Sequence, residues 1–140
     1  MKIVVDSNIL FSAIIKENSI IREILSLEII EFYMCWFSII EITKYKDYLL
    51  KKSKLSEEKF PEILGLLNQN IKFVKNEKLH EKLEEAINIM QNIDLKDAPI
   101  LAAALVVNPD FIWSNDIHLK KQNRFKVLNT AELLILVNLK

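Results

Sequence analysis

Five short apolar runs recur along this chain: Ile3-Val4-Val5, Phe32-Tyr33-Met34-Cys35-Trp36-Phe37, Ile71-Lys72-Phe73-Val74, Phe111-Ile112-Trp113 and Phe125-Lys126-Val127-Leu128. Each is rich in β-branched or aromatic residues, the side chains that suit a pleated, buried surface. Helical spacing of apolar residues fills much of what lies between, over 20–27, 38–50, 56–68, 77–91 and 97–107, and again from Thr130 onwards. Strands separated by helices of this length predict parallel pairing, with helices on both faces of the sheet. The expected fold class is therefore α/β, a three-layer α/β/α arrangement around a mostly parallel five-stranded sheet.

The chain has 140 residues, enough for one domain with a core of its own, and no linker or repeat divides 1–140. Formal net charge is zero, so the strongly basic field of a non-specific DNA binder is absent. Any nucleic-acid contact must rest on local patches or on metal ions. Gly65 is the single glycine, which excludes the Gly-rich phosphate cradles of Walker loops and dinucleotide folds. Cys35 is the single cysteine, so no internal disulfide forms, and its apolar neighbours mark it as a small buried hydrophobe. No apolar stretch approaches the roughly 18 residues of a membrane span. Asp6 interrupts the N-terminal apolar run too early for a signal peptide. A cytoplasmic protein without a membrane partner is expected.

Four acids stand where such a sheet would place its ligands. Asp6 ends the first strand, Glu41 follows the second, Asp97 opens the alanine-rich helix and Asp116 follows the fourth strand. Each has an ordinary structural reading. Ser38 and Glu41 have the spacing of a capping box, Asp97 and Asp116 could cap helices, and Asp6 could mark a turn. In a parallel sheet, however, all four open onto one edge. Two like charges at about 4 Å repel by roughly 4 kcal/mol even at an effective dielectric near 20. Such a cluster needs a cation or raised pKa values, and an all-oxygen set selects Mg²⁺ or Mn²⁺. His80 and His118 lack zinc-type spacing.

These acids and their flanks resemble the PIN-domain nucleases, and among them the VapC-type toxin ribonucleases, over essentially the whole chain. Asp6-Ser7-Asn8-Ile9-Leu10 is similar to the family's opening motif, and Glu41 matches its acid after the second strand. Asp97-Ala98-Pro99-Ile100-Leu101-Ala102-Ala103-Ala104 resembles its Asp-headed helix, and Ser114-Asn115-Asp116 its turn after the fourth strand. The resemblance implies a Mg²⁺- or Mn²⁺-dependent endoribonuclease that leaves 5′-phosphate and 3′-hydroxyl ends. It also implies partners: RNA, a cognate antitoxin protein if the chain is the toxin of such a pair, and a second copy in a homodimer. Asp94 and Asp97 both precede the alanine-rich helix, and Asp97 is favoured as the ligand because it adjoins that helix.

The roles expected on this reading are direct metal ligation by Asp6 and Asp97, with Asp116 through water or at a second ion. Glu41 would orient or deprotonate the attacking water. Asn8, Ser114 and Asp94 are auxiliary: Asn8 and Ser114 hold carboxylates or a phosphate by hydrogen bonds, and Asp94 is a nearby acid or a cap. Lys44, Lys120 and Lys121 are the candidate RNA-backbone contacts among the basic residues that follow Glu41 and Asp116, most of which read as solvated helix faces. The alternative is a catalytically weak PIN-like module that binds RNA or a partner. A phosphoacceptor receiver domain is excluded, since Val74-Lys75-Asn76 offers no acceptor Asp and Val127-Leu128-Asn129 no Lys. Residues 55–70 carry Phe60, Ile63, Leu64, Leu66 and Leu67, which read better as a helix packed on the core than as a docking surface.

Overall fold

A computed structural model describes residues 1–16 and 20–137. Its five strands are β1 (Lys2–Val5), β2 (Glu31–Cys35), β3 (Ile71–Val74), β4 (Phe111–Trp113) and β5 (Val127–Leu128). They form one sheet in the order β3-β2-β1-β4-β5, with every pairing parallel. The strand alternation sorts side chains to two faces. Ile3, Val5, Phe32, Met34, Ile71, Trp113 and Leu128 join one core. Val4, Cys35, Val74, Ile112 and Val127 join the other.

The first core is covered by α1 (Ser7–Ile15), α2 (Ile20–Leu25), α3 (Phe37–Lys44), α4 (Lys46–Ser53), α5 (Lys59–Asn68) and α8 (Thr130–Val137). The second lies under α6 (Asn76–Met90) and α7 (Ala98–Val107). The three layers are those expected. In α7 the residues Ala102, Ala103 and Ala104 are fully buried, and their small side chains let this helix lie against β1 and β2 with α6 along its flank. Pro99 sits in the first turn, where its missing N–H costs nothing. Asn108 ends the helix in the left-handed region (φ 53°), and Pro109 prevents continuation.

Two local expectations change, and one stretch left unassigned gains a helix. The segment after Asp6 forms α1. Its residues Ile9, Leu10, Ala13 and Ile14 are buried within a nearly continuous apolar run, which obscures helical periodicity. The second strand ends at Cys35, and Phe37 already starts α3, leaving Trp36 and Phe37 each 44% exposed. The helix expected over 38–50 breaks at Tyr45, whose ring packs edge-on against Phe11 at 6.1 Å. The 55–70 segment is core-bound as expected, with Phe60 and Leu67 buried in α5, although Leu66 faces outwards. Among the described residues no helix is long and apolar enough to cross a membrane.

Candidate active site

From β1 the sheet order runs outwards to β2 and β3, then returns to β4 on the other side of β1. Ligand crevices form at such a reversal, beyond the carboxyl ends of the strands. Asp6 follows β1 and Ser114 follows β4, so the two flank it. A cleft of about 220 Å³ opens there, and its walls include Asp6, Asn8, Glu41, Asp94, Asp97 and Asp116. The structure thus gathers all four acids, together with Asp94, on one edge of the sheet.

The capping alternatives separate these acids. Asp6 and Asp97 occupy helix N-cap positions, yet neither side chain caps its helix. Glu41 lies too far into α3 to complete a capping box with Ser38, because the helix starts at Phe37. Its Oε1 instead accepts a hydrogen bond from Ser7 Oγ at 3.4 Å. Asp116 does cap: its Oδ1 accepts from the His118 N–H at 2.8 Å and holds a 3-10 turn over Ile117–Lys121. Asp94 does the same for the turn Leu95–Asp97, accepting from the Lys96 N–H at 3.1 Å. Asp116 and Asp94 therefore each commit one oxygen to the backbone.

Asp94, Asp97 and Asp116 each offer one carboxylate oxygen, and these oxygens lie within 4.8 Å of one another. Asp97 Oδ2 is buried and has no hydrogen-bond partner among the described residues. Burial pushes the Asp97 carboxyl up to about 7, helped by the neighbouring charges of Asp116, Asp6 and Asp94. Burial also raises Asp6, with Asp116 adding to it, although the Ser114 hydroxyl and the backbone N–H groups of Asn8 and Ser7 pull in the other direction. Glu41 is raised by partial burial and by the charge of Asp6, while Lys44 offsets part of this. A buried, unpartnered oxygen costs free energy that a bound cation would recover. The donor set is all oxygen, so it fits a hard divalent ion.

Ser114 links two of the acids. It is 1% exposed, donates to Asp6 Oδ2 at 2.6 Å, and its Oγ accepts from the Asp116 N–H at 3.0 Å. Replacing it with alanine strands a buried carboxylate and an amide. The expected cost is about 1–2 kcal/mol, and because the hydroxyl favours the ionised form of Asp6, the cost grows as pH rises. Urea unfolding of Ser114→Ala over a pH series measures it, and stability equal to wild type throughout would remove Ser114 from this role.

The remaining expected residues are dispersed. Asn8 is exposed on the cleft wall. Lys44 stands near Glu41 and over the Tyr45 ring, 5.6 Å from its centroid. Lys120 is ion-paired with Glu132, and Lys121 is exposed away from the cleft wall. His80 and His118 are also exposed and do not line the cleft. Sequence reasoning passed over Lys96, which does line it. The Asp94 cap sets the turn that presents this lysine, and the spacing of Asp94 and Lys96 was the available signal.

A family model described as "PIN domain" matches residues 4–132. The chain belongs to the PIN-domain family. Among solved structures, this PIN domain is similar to a chain of VapBC2 from Rickettsia felis, an assembly bound to a DNA fragment from its promoter. The TM-score is 0.70 at 19% identity, covering 92% of this chain and 98% of that one. The likeness carries the fold. No curated protein matches this PIN domain.

Proposed function

We propose that this PIN domain is a divalent-metal-dependent endoribonuclease, and that it is the toxin of a toxin–antitoxin pair. The observation that carries the first part is the buried, unpartnered Oδ2 of Asp97 within a three-carboxylate span of 4.8 Å. The structural likeness to a chain of the Rickettsia felis VapBC2 assembly supports the second, with an antitoxin as partner and a cytoplasmic location as parts of the same reading.

Asp97, Asp116 and Asp94 would hold Mg²⁺ or Mn²⁺, with Asp6 completing the set from the β1 side. When bound, such an ion acidifies a water and neutralises charge growing on the phosphate. Glu41, raised above the usual carboxylate range and exposed to solvent, is suited to accept a proton from the attacking water. Ser7 fixes its orientation through the bond to Oε1. Ser114 holds Asp6 so that its carboxylate faces the cleft edge. Hydrolysis on these terms leaves a 5′-phosphate and a 3′-hydroxyl.

The test is cleavage of single-stranded RNA with Mn²⁺ or Mg²⁺ and with chelator. Metal-dependent cutting by wild type, and at least about 100-fold less by Asp6→Asn, is the expected result. Cutting that survives both the chelator and the substitution would overturn the site. Absence of cutting with either ion, alongside retained RNA binding, would favour the non-catalytic module.

A further inference from the structure

An acidic cleft can cut RNA but repels it, and a chain of zero net charge has no global attraction to replace what the cleft lacks. On the β2–β3 side the cleft wall ends at Phe37, and Trp36 stands next to it, both aromatic rings partly open to solvent. Trp36 meets Phe73 edge-on, with centroids 5.9 Å apart. Phe73 packs on the first core, on the other face of the sheet from Tyr33. The pairing of Cys35 with Val74 sets Lys75 beside Trp36 at the carboxyl edge of the sheet, and Lys75 and Lys78 line a second groove with Tyr33 and Val74. Neither Lys75 nor Lys78 makes an ion pair among the described residues. Exposed aromatic faces followed by free ammonium groups are the two components by which single strands are held without base-specific readout.

We propose that Phe37 and Trp36, followed by Lys75 and Lys78, form a track for single-stranded RNA flanking the phosphate in the acidic cleft. Bases stack on Trp36 and Phe37 as the strand leaves the cleft, and its phosphates pass Lys75 and Lys78 in the second groove. The track rests on the ribonuclease reading above, because it places the cut phosphate in the cleft.

Binding and cutting test it separately. Affinity of Asp97→Asn protein for a fluorescent 12-nucleotide single-stranded RNA is measured over a salt series, alone and combined with Trp36→Ala or with Lys75→Ala/Lys78→Ala. Each combination is expected to weaken binding about 10-fold. The double lysine change is also expected to flatten the salt dependence by roughly 1.4 in log–log slope, the value for two phosphates on a single strand. In the cleaving protein, the same changes are expected to raise KM about 10-fold with kcat within twofold. Unchanged affinity and unchanged salt slope would overturn the track while leaving the ribonuclease reading intact. Weakened binding in a protein that cuts no RNA would overturn the proposal together with the ribonuclease reading, since no cut phosphate would then lie in the cleft for the track to flank. No binding of the RNA by any form would overturn the track.

Discussion

Asp97→Asn is expected to abolish metal-dependent cutting, by about 1,000-fold or more, while making the metal-free protein more stable at neutral pH. The two effects share one cause. The folded-state pKa of Asp97, about 7, lies above its ordinary 3.8, so folding favours the protonated carboxyl. The stability this group contributes is complete below pH ~4 and is lost as pH rises through ~7. Asparagine stays neutral and escapes that loss. The side chain is only half-buried, so water screens part of the effect, and the gain at pH 8 is ~1–2 kcal/mol. Thermal unfolding in chelator from pH 4 to pH 8 measures it, and a wild-type protein no less stable at pH 8 than at pH 5 would contradict the clustered charges. Added Mn²⁺ is expected to reverse the order, raising the melting temperature of wild type and leaving Asp97→Asn unmoved.

The largest stability effect is expected at Trp113. It is fully buried at the end of β4, packs on Phe32 at 6.0 Å between centroids, and donates its Nε1–H to Thr130 Oγ1 at 3.1 Å. Truncation to alanine leaves a cavity between β4 and the α8 layer and should cost about 4 kcal/mol, or roughly 15 °C in melting temperature. Trp113→Phe keeps most of the volume and should cost less than half as much. The backbone of Trp113 accepts from the Asp6 N–H at 3.0 Å, and Ser114 comes next in sequence. A cavity here therefore loosens the Asp6–Ser114 bond, so Trp113→Ala should lose cutting activity beyond its unfolded fraction. Retained stability within 1 kcal/mol of wild type would show that the sheet centre repacks.

Much of this was legible in the residues because a parallel sheet leaves strong marks. Ile3-Val4-Val5 and Ile112-Trp113 are buried on both faces, with Phe111 partly so, and each strand reads as a continuous apolar run. Asp6, Glu41, Asp97 and Asp116 could be placed at one edge because parallel strands end on the same side. The capping question was not legible, since S-x-x-E spacing at Ser38 and Glu41 is the same whether the helix starts at Ile39 or at Phe37. The start at Phe37 removes the capping box and turns Trp36 and Phe37 from strand residues into the exposed rim of the cleft. Asp94 was an auxiliary acid in the sequence, and only the 3-10 turn it caps brings it within reach of Asp97 and Asp116. Lys120 had the right charge and neighbourhood for RNA, but Glu132 of α8, remote from it in sequence, takes that charge up.

A partly buried acid cluster with a raised carboxyl pKa must give up a proton when it takes up a divalent ion. Calorimetric titration of metal-free protein with Mn²⁺ at pH 6.5, in two buffers of different ionisation enthalpy, tests it most directly. Saturable binding is expected, with release of about three-quarters of a proton per ion as the metal empties a carboxyl at about 7. Asp97→Asn is expected to lose both the binding and the proton. No binding at millimolar Mn²⁺, or undiminished binding by Asp97→Asn, would contradict it.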